Sequence, residues 1–411
     1  MPPWIYIGTV NSTLMHKSLI MSHFDLTQLQ TPCWLFDPDI AVKNYQCFTA
    51  LFKQATVAYA FKANPHSAFA TSLLNVDAHF CVVSMPHLKQ LLKLNIKPQQ
   101  IVYSHPIKSL DEIQFALQAG VRCFACDSLA EIDKMAYFNI PAEIFIRLDM
   151  DTAGSMVPLS DKFGVTPETA LELMHYAAQR GLKPIGFTFH IGSQCLYLEN
   201  WKNAIKTVGS VWKQAKEAFG VDFINIGGGF AVPYANIPDF HLEDIAAQVY
   251  HSIDRYLPDV RRIVLEPGRA IVATAGALLT SVTGIAKRPD SNTWLYIDSG
   301  VFNGLFETIN NIRFPVKIVP VSENSLPSNF LHSIQHKSFS QADNDGLHTY
   351  MLAGPTCDSL DKLFSFRTPE SILIGDRLLF QDVGAYGYSL ESSFNGYSMP
   401  NVEIVSLEKF Y

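Results

Sequence analysis

In the stretch VAYAFKANPHSA, residues 57–68, an apolar strand-forming run carries Lys62 at its end, before Asn64 and Pro65 break it. Removing an ammonium group from water is costly, so its presence there asks for a chemical reason. A lysine in a partly dry site can lose its proton and attack an aldehyde, forming a Schiff base. Further along, Gly227, Gly228 and Gly229 follow another apolar run. A turn of that kind exposes backbone N–H groups that can hold a phosphate. Arg269 and Ser193 can add a cation and a hydroxyl to the same site, and Glu266 can pair with a protonated ring nitrogen. Aldehyde, phosphate and pyridine nitrogen together describe pyridoxal 5′-phosphate (PLP), whose ring acts as an electron sink.

Each signal is weak alone. A GGG is usually a tight turn, a strand-end lysine is usually a solvated charge, and EPGRA reads equally as a strand end with a surface ion pair. Their order along one repeating pattern carries the weight. Short runs rich in Val, Ile, Phe and Tyr recur at 57–64, 78–84, 99–106, 121–128, 142–151, 184–193, 222–230 and 262–270. Segments such as SLDEIQFALQAG, TPETALELMHYAAQRG and HLEDIAAQVYHSIDRYL lie between them, with apolar residues at helical spacing. Strands alternating with helices in this way predict an α/β fold, a (β/α)8 TIM-like barrel. The polar residues fall at one end of each run: Lys62, Ser84, His105, Asp127, Arg147, His190, the glycine turn, and Glu266 with Arg269. Barrel enzymes build their sites at the C-terminal ends of their strands, so Lys62 is expected in the barrel mouth.

After about residue 275 the pattern changes to strands with little helix: WLYIDSG, VKIVPV, TYMLAGP, DRLLFQDVGAYGYS and NVEIVSLEKF. The expected organisation is an N-terminal extension (1–24), a strand segment joining the β domain (25–40, containing TPCWLFD), the barrel (41–275) and a C-terminal all-β domain (276–411). The first 24 residues are mildly apolar, but polar residues break them before they could form a signal sequence or a membrane span. Met21 is a candidate start, and the cytoplasm is the default location.

The net charge is -7, with Lys and Arg scattered, which argues against nucleic acid or an anionic membrane as partner. Seven dispersed cysteines do not make a disulfide framework. Cys123 and Cys126 have zinc or redox spacing but lie inside an expected barrel strand without a second pair, so they are read as core. His66, His79, His87 and His105 lack metal-ligand spacing, no metal site is expected, and Cys195 receives no role.

The motifs AFKAN, HIGSQ, NIGGGF, EPGRAIVA, GPTCDSLD and GAYGYSLESSFNGY resemble those of the barrel-fold (fold type III) PLP-dependent decarboxylases of ornithine, lysine, arginine and diaminopimelate. The resemblance runs from TPCWLFD to FNGY and implies an alanine-racemase-like pairing of barrel and β domain. It implies that Lys62 forms the Schiff base with PLP, that His190 stacks on the ring, and that Glu266 meets the pyridine nitrogen. Ser193, Gly227, Gly228, Gly229, Arg269 and Tyr386 would hold the phosphate, with Gly268 also at the cofactor and Arg147 behind the ring. GPTCDSLD would come from the partner in a homodimer with shared active sites, bringing Cys357 to the α-carbon as proton donor and Asp358 to the far end of a small-molecule amino-acid substrate.

The match departs in places. HIGSQ and EPGRAIVA read like the diaminopimelate branch, whereas CDSLD reads like the ornithine/lysine branch, and Asp358 favours a distal amine or other donor. Cys81 stands where relatives usually carry an aspartate and is read as a small buried residue. Asn310 and Asn311 stand where bacterial relatives place acids that bind the distal ammonium; Glu307 is expected to compensate, with Asn311 at the substrate. The first reading is therefore an ornithine- or lysine-type decarboxylase. A second is a decarboxylase of an N-acylated (citryl) diamino acid in carboxylate siderophore assembly, suited by Asn311 followed by Arg313. An inactive, regulatory decarboxylase-like protein and an amino-acid racemase are the remaining alternatives.

Overall fold

The computed structural model describes residues 25–159, 162–288, 293–320, 343 and 345–410. The extension expected over 1–24 lies outside the described residues. Strand β1 (Cys33–Phe36) precedes the barrel strands β2 (Ala55–Ala60), β3 (His79–Val82), β4 (Ile101–Tyr103), β5 (Cys123–Cys126) and β6 (Glu143–Arg147). Then come β7 (Ser155–Val157), the barrel strand β8 (Lys183–Thr188), β9 (Ser193–Cys195), and the barrel strands β10 (Phe223–Asn225) and β11 (Arg262–Leu265). Eight of these close in the order β10-β11-β2-β3-β4-β5-β6-β8, all in parallel, whereas β7 and β9 pair antiparallel as a separate flap. Each of the eight apolar runs overlaps one barrel strand.

The barrel is filled, as closure of eight strands requires. Ala58, Cys81, Val102, Ala125, Phe145, Ile185, Phe223 and Val264, one from each strand, form a buried cluster of their own. Cys81 is thus a packing residue on β3. The outward faces of the same strands pack on helices whose ends are marked in the sequence. The helix Leu110–Gln118 opens with a capping box, in which Ser109 accepts the Glu112 N–H and Glu112 accepts the Ser109 N–H. The helix Leu198–Phe219 stops at Gly220, whose φ of 68° suits a residue without Cβ. No helix among the described residues is long and apolar enough to cross a membrane.

The second body is an eight-stranded sheet. It is built on β12 (Gly276–Lys287) with β13 (Thr293–Ile297), β14 (Val316–Val319), β15 (His348–Ala353), β16 (Lys362–Thr368), β17 (Arg377–Phe380) and β18 (Asn401–Ile404). Strand β1 lies between β12 and β18, so the segment before the barrel supplies a strand to the sheet after it. Two members, β12 and β16, go beyond the expected runs. The sequence of β12, GALLTSVTGIAK, mixes Gly, Ala, Thr and Ser into the strand and lacks the dense aromatic and β-branched signal of its neighbours.

Candidate active site

A cavity of about 250 Å³ opens where the C-terminal ends of the barrel strands meet the β domain. Lys62 lines it from a single 3₁₀ turn, Phe61–Ala63, directly after β2. Phe61 and Ala63 are buried, and Asn64 anchors the turn: its Nδ2 donates to the Gly384 carbonyl at 2.8 Å, and the Tyr59 hydroxyl donates to the Asn64 carbonyl at 2.9 Å. Lys62 itself is exposed in the cavity rather than desolvated as the strand context suggested. The Tyr386 N–H donates to the Ala63 carbonyl at 2.8 Å, which ties the loop of one domain to the lysine turn of the other.

His190 follows β8 and also lines the cavity. Its Nδ1 accepts the Gly192 N–H at 3.0 Å, so in the neutral ring the proton sits on Nε2. Burial, with the nearby Lys62 and Arg147 charges, holds its pKa well below the usual histidine value. The ring is therefore neutral. The glycine turn lies beside it. Gly227 has φ 68° and Gly229 φ 110°, both in the left-handed region, and a Cβ on Gly228 would stand 2.8 Å from the Glu266 carbonyl oxygen and 3.2 Å from His190 Nε2. The space a side chain would take is thus kept free beside the histidine.

Glu266 follows β11 and lines the cavity. Its Oε1 accepts hydrogen bonds from the Ser104 hydroxyl and, at 2.6 Å, from Asn225 Nδ2. Three residues on, Arg269 begins a one-turn helix and is only 5% exposed. Its guanidinium donates to Ser193 Oγ from two nitrogens at 3.3 Å and to the Tyr234 hydroxyl at 3.2 Å, lies 4.9 Å from the Tyr386 ring centre, and pairs with Glu307. Gly268 lines the same wall, where a Cβ would stand 3.2 Å from the Tyr386 hydroxyl. A buried guanidinium, a serine hydroxyl, a tyrosine and an open glycine turn make a cradle for a phosphate. With an amine and a carboxylate in the same cavity, the donor set fits PLP.

Lys62, His190, Ser193, Gly228, Gly229, Glu266, Gly268, Arg269, Glu307 and Tyr386 thus line one cavity, with Gly227 in the turn beside it. Other positions fall elsewhere. Arg147 is not among the lining residues; its guanidinium lies 5.2 Å from the Phe163 ring, and burial lowers its pKa despite the Glu266 charge nearby. Ser84 stands at the N-cap position of the helix Met85–Lys93, Asp127 accepts the Gly164 N–H at 3.0 Å, and His105 packs edge-on against Phe163. Asn311 is not brought to the cavity: its backbone is left-handed with φ 60°, it is exposed, and Asn310 lines the wall in its place.

Cys357 and Asp358 are also away from Lys62. Cys357 is exposed on the β domain, where its N–H and thiol meet Asn395 Oδ1 at 3.1 and 3.3 Å, and it lines a second cavity of about 420 Å³. Asp358 Oδ1 accepts the Leu360 N–H at 2.8 Å. Their loop is fixed by buried Asp361, which accepts the Val301 N–H at 2.8 Å and the Thr356 hydroxyl at 2.7 Å.

Several site residues escaped the sequence reading. Asn225 was within reach, since it opens the NIGGGF motif, and Ser104 ends an identified strand. In the sequence Asn310 reads only as a lost acid. Tyr234, which burial pushes up to about 12, and Val157 at the end of the flap with Leu159 just after it, which line the cavity, carried no signal: only the fold brings them there.

Comparison with known proteins points to the same cofactor. The family described as pyridoxal-dependent decarboxylase, pyridoxal binding domain, matches residues 40–273. The lysine/ornithine decarboxylase of Selenomonas ruminantium is 31% identical over 374 residues, which is 90% of this chain and 88% of that protein. The crystal structure of SrLDC in complex with PLP and cadaverine superposes with a TM-score of 0.80 at 28% identity, covering 96% of this chain and 97% of the other. The lysine/ornithine decarboxylase of Vibrio vulnificus complexed with cadaverine gives 0.79 at 26% identity, covering 93% and 96%.

Proposed function

The chain belongs to the pyridoxal-dependent decarboxylases and is a PLP-dependent carboxy-lyase of a basic amino acid, and we propose that its substrate is a diamino acid of the ornithine and lysine type. The observation that carries this reading is the meeting of Lys62, Glu266 and the Arg269–Ser193 cradle in one cavity. When bound, PLP supplies an aldehyde for an amine to condense with and a ring that takes up the electron pair left as CO2 departs.

The chain's own residues do the rest. Lys62 presents the amine that holds the cofactor and, later, frees the product. Glu266 offers a carboxylate to the ring nitrogen and so favours its protonated form. Neutral His190 gives the ring an uncharged face to lie on and adds no second cation beside the lysine. Arg269, Ser193, Tyr386 and the glycine turn would hold the phosphate and so anchor the cofactor. Val157, at the end of the flap, and Leu159 just after it add apolar surface to one wall.

A thiol that returns a proton to the α-carbon is absent from the described lining residues, and Cys357 stands exposed elsewhere. This supports a homodimer in which Cys357 of one copy completes the cavity of the other, with Asp358 beside it at the distal end of the substrate. PLP-loaded protein should release CO2 from free ornithine or lysine, with Lys62→Ala as the blank. Lack of turnover on every free diamino acid would sink the reading.

One observation favours a second reading, in which the distal nitrogen is acylated, as in a citryl diamino acid. Glu307 Oε2 is engaged by Arg269 and Oε1 accepts from Asn310 Nδ2 at 3.0 Å, so the acid expected to meet a distal ammonium is already paired. Among the described lining residues the other carboxylate is Glu266, which serves the ring. The same assay run with citryl-acylated substrates separates the two readings: turnover of the acylated form alone selects the second.

A further inference from the structure

We propose that Asn225 and Ser104 are positioning residues that aim Glu266 at the cofactor ring and link that carboxylate to the phosphate-holding turn. The inference rests on the functional reading above. Asn225 is the last residue of β10 and is wholly buried. Its side chain works in two directions. Oδ1 accepts the Gly227 N–H at 2.9 Å, which fixes the amide's orientation, and Nδ2 then donates to Glu266 Oε1 at 2.6 Å. Because Oδ1 is committed as acceptor, the amide presents a donor to the carboxylate rather than a repelling oxygen.

Ser104, the residue just after β4, approaches the same oxygen from another part of the barrel. Its backbone N–H donates to the Val82 carbonyl at 3.0 Å. The following loop is pinned by Lys108, whose Nζ donates to the His105 carbonyl at 2.9 Å and the Ala125 carbonyl at 2.8 Å and pairs with buried Glu131 at 2.8 Å. The hydroxyl therefore sits on a rigid support. Both donors converge on Oε1, and among the described residues no nitrogen or hydroxyl donor meets Oε2, the Cys81 thiol being the carboxylate's remaining neighbour. Glu266 lines the cavity, so Oε2 is the oxygen left for a ring N–H. The third neighbour, the Cys81 thiol, is held protonated by burial and by the Glu266 charge, so the carboxylate has neutral company there. In one buried amide, the barrel couples the group that meets the ring nitrogen to the turn that meets the phosphate.

The test uses PLP-loaded full-length protein with Ser104→Ala, Asn225→Ala and the conservative Ser104→Thr. The expected result is a kcat lower by roughly 10- to 100-fold with KM little changed, the range seen when a group that orients a primary ligand is lost. The pH midpoint of the bound cofactor's visible band should also move by about one unit. Ser104→Thr should restore both. A merely structural role would lower the melting temperature and leave the band and the kcat of folded protein unchanged, and that outcome overturns the proposal. Should Asn225→Ala not fold, Ser104→Ala decides alone. Unaltered protein that takes up no PLP overturns the proposal together with the reading beneath it, whereas normal PLP uptake with unresponsive variants overturns the proposal only.

Discussion

Glu307 and Arg269 form an ion pair at the cavity wall with side-chain exposures of 6% and 5%, and this pair joins the phosphate cradle to the substrate wall. Taking two charges out of water is tolerable because they meet each other and because Tyr234, Ser193 and Asn310 satisfy their remaining hydrogen-bonding groups. The same guanidinium is the cation that a phosphate would use. Glu307 therefore counterbalances Arg269 before the cofactor does.

Glu307→Gln should destabilise the cofactor-free protein by about 3 kcal/mol, because a buried guanidinium loses its charged partner. Saturating PLP should recover most of that loss, since its phosphate supplies a new counter-charge. Melting curves of the variant with and without PLP check this. An equal loss in both states would mean that the phosphate does not reach Arg269.

Acid should weaken the fold in a definite direction. Burial depresses the pKa of His66, His79, His87, His105 and His190 below the ordinary histidine value, so each binds a proton more readily in the unfolded chain. Stability is then fully present above the unfolded pKa near 6.5 and falls as pH drops through that value toward the lower folded ones. His190→Phe should flatten the curve between about pH 5 and 6.5 by up to about 1.4 kcal/mol per pH unit, one group's full share. Urea titrations at several pH values measure the slope, and an unchanged slope would place His190 in water.

The barrel was legible in the sequence because its strands are buried on both faces and read as uninterrupted apolar runs with a polar residue at one end. The cavity was legible for the same reason. Lys62, His190, Glu266 and Arg269 each stand at the C-terminal end of such a run, at the mouth of the barrel. The residues that align them were harder to see. Asn225 is a strand residue whose importance lies in two hydrogen bonds, one to the turn that follows it and one to Glu266 after the next strand, while Tyr234 in a loop and Asn310 at the end of a short 3₁₀ turn carry no periodicity. Asn311 was placed one residue off, because a left-handed backbone at the end of a short 3₁₀ turn decides which of two adjacent asparagines faces the cavity. Strand β12 hid behind its small residues, although four other strands of the sheet pair with it or with its partner β1.

Two ion pairs of similar length should differ sharply in worth. Lys108 and Glu131 meet at 2.8 Å with side-chain exposures of 0% and 1%, whereas Lys183 and Glu143 meet at 2.7 Å with Lys183 70% exposed. Glu131→Gln should cost about 3–5 kcal/mol, since it strands an ammonium among carbonyls. Lys183→Ala should cost less than about 1 kcal/mol, because water screens the pair and Arg262 remains on Glu143. Denaturant midpoints of the two variants decide. Comparable losses would show that Lys108 is not sealed from solvent and would remove the rigid support invoked for Ser104.

The proposed shared site makes its own prediction. Lys62 and Cys357 line different cavities of one chain, so each complete site would take its lysine from one copy and its thiol from the other. Lys62→Ala and Cys357→Ala homodimers should each be close to inactive, with losses on the order of 10³-fold, as for removal of a catalytic group. Mixed and allowed to exchange subunits, they form heterodimers in which one site carries both substitutions and the other neither. Random pairing in a two-fold dimer makes half the population heterodimeric with one intact site of two, so activity should recover to roughly a quarter of the unaltered level. The recovery should fail when Lys62→Ala is mixed with the double variant, where no intact site can form. A mixture that stays inactive despite proven exchange would place the lysine and the thiol in the service of a single chain, and the cavity at Cys357 would then need another explanation.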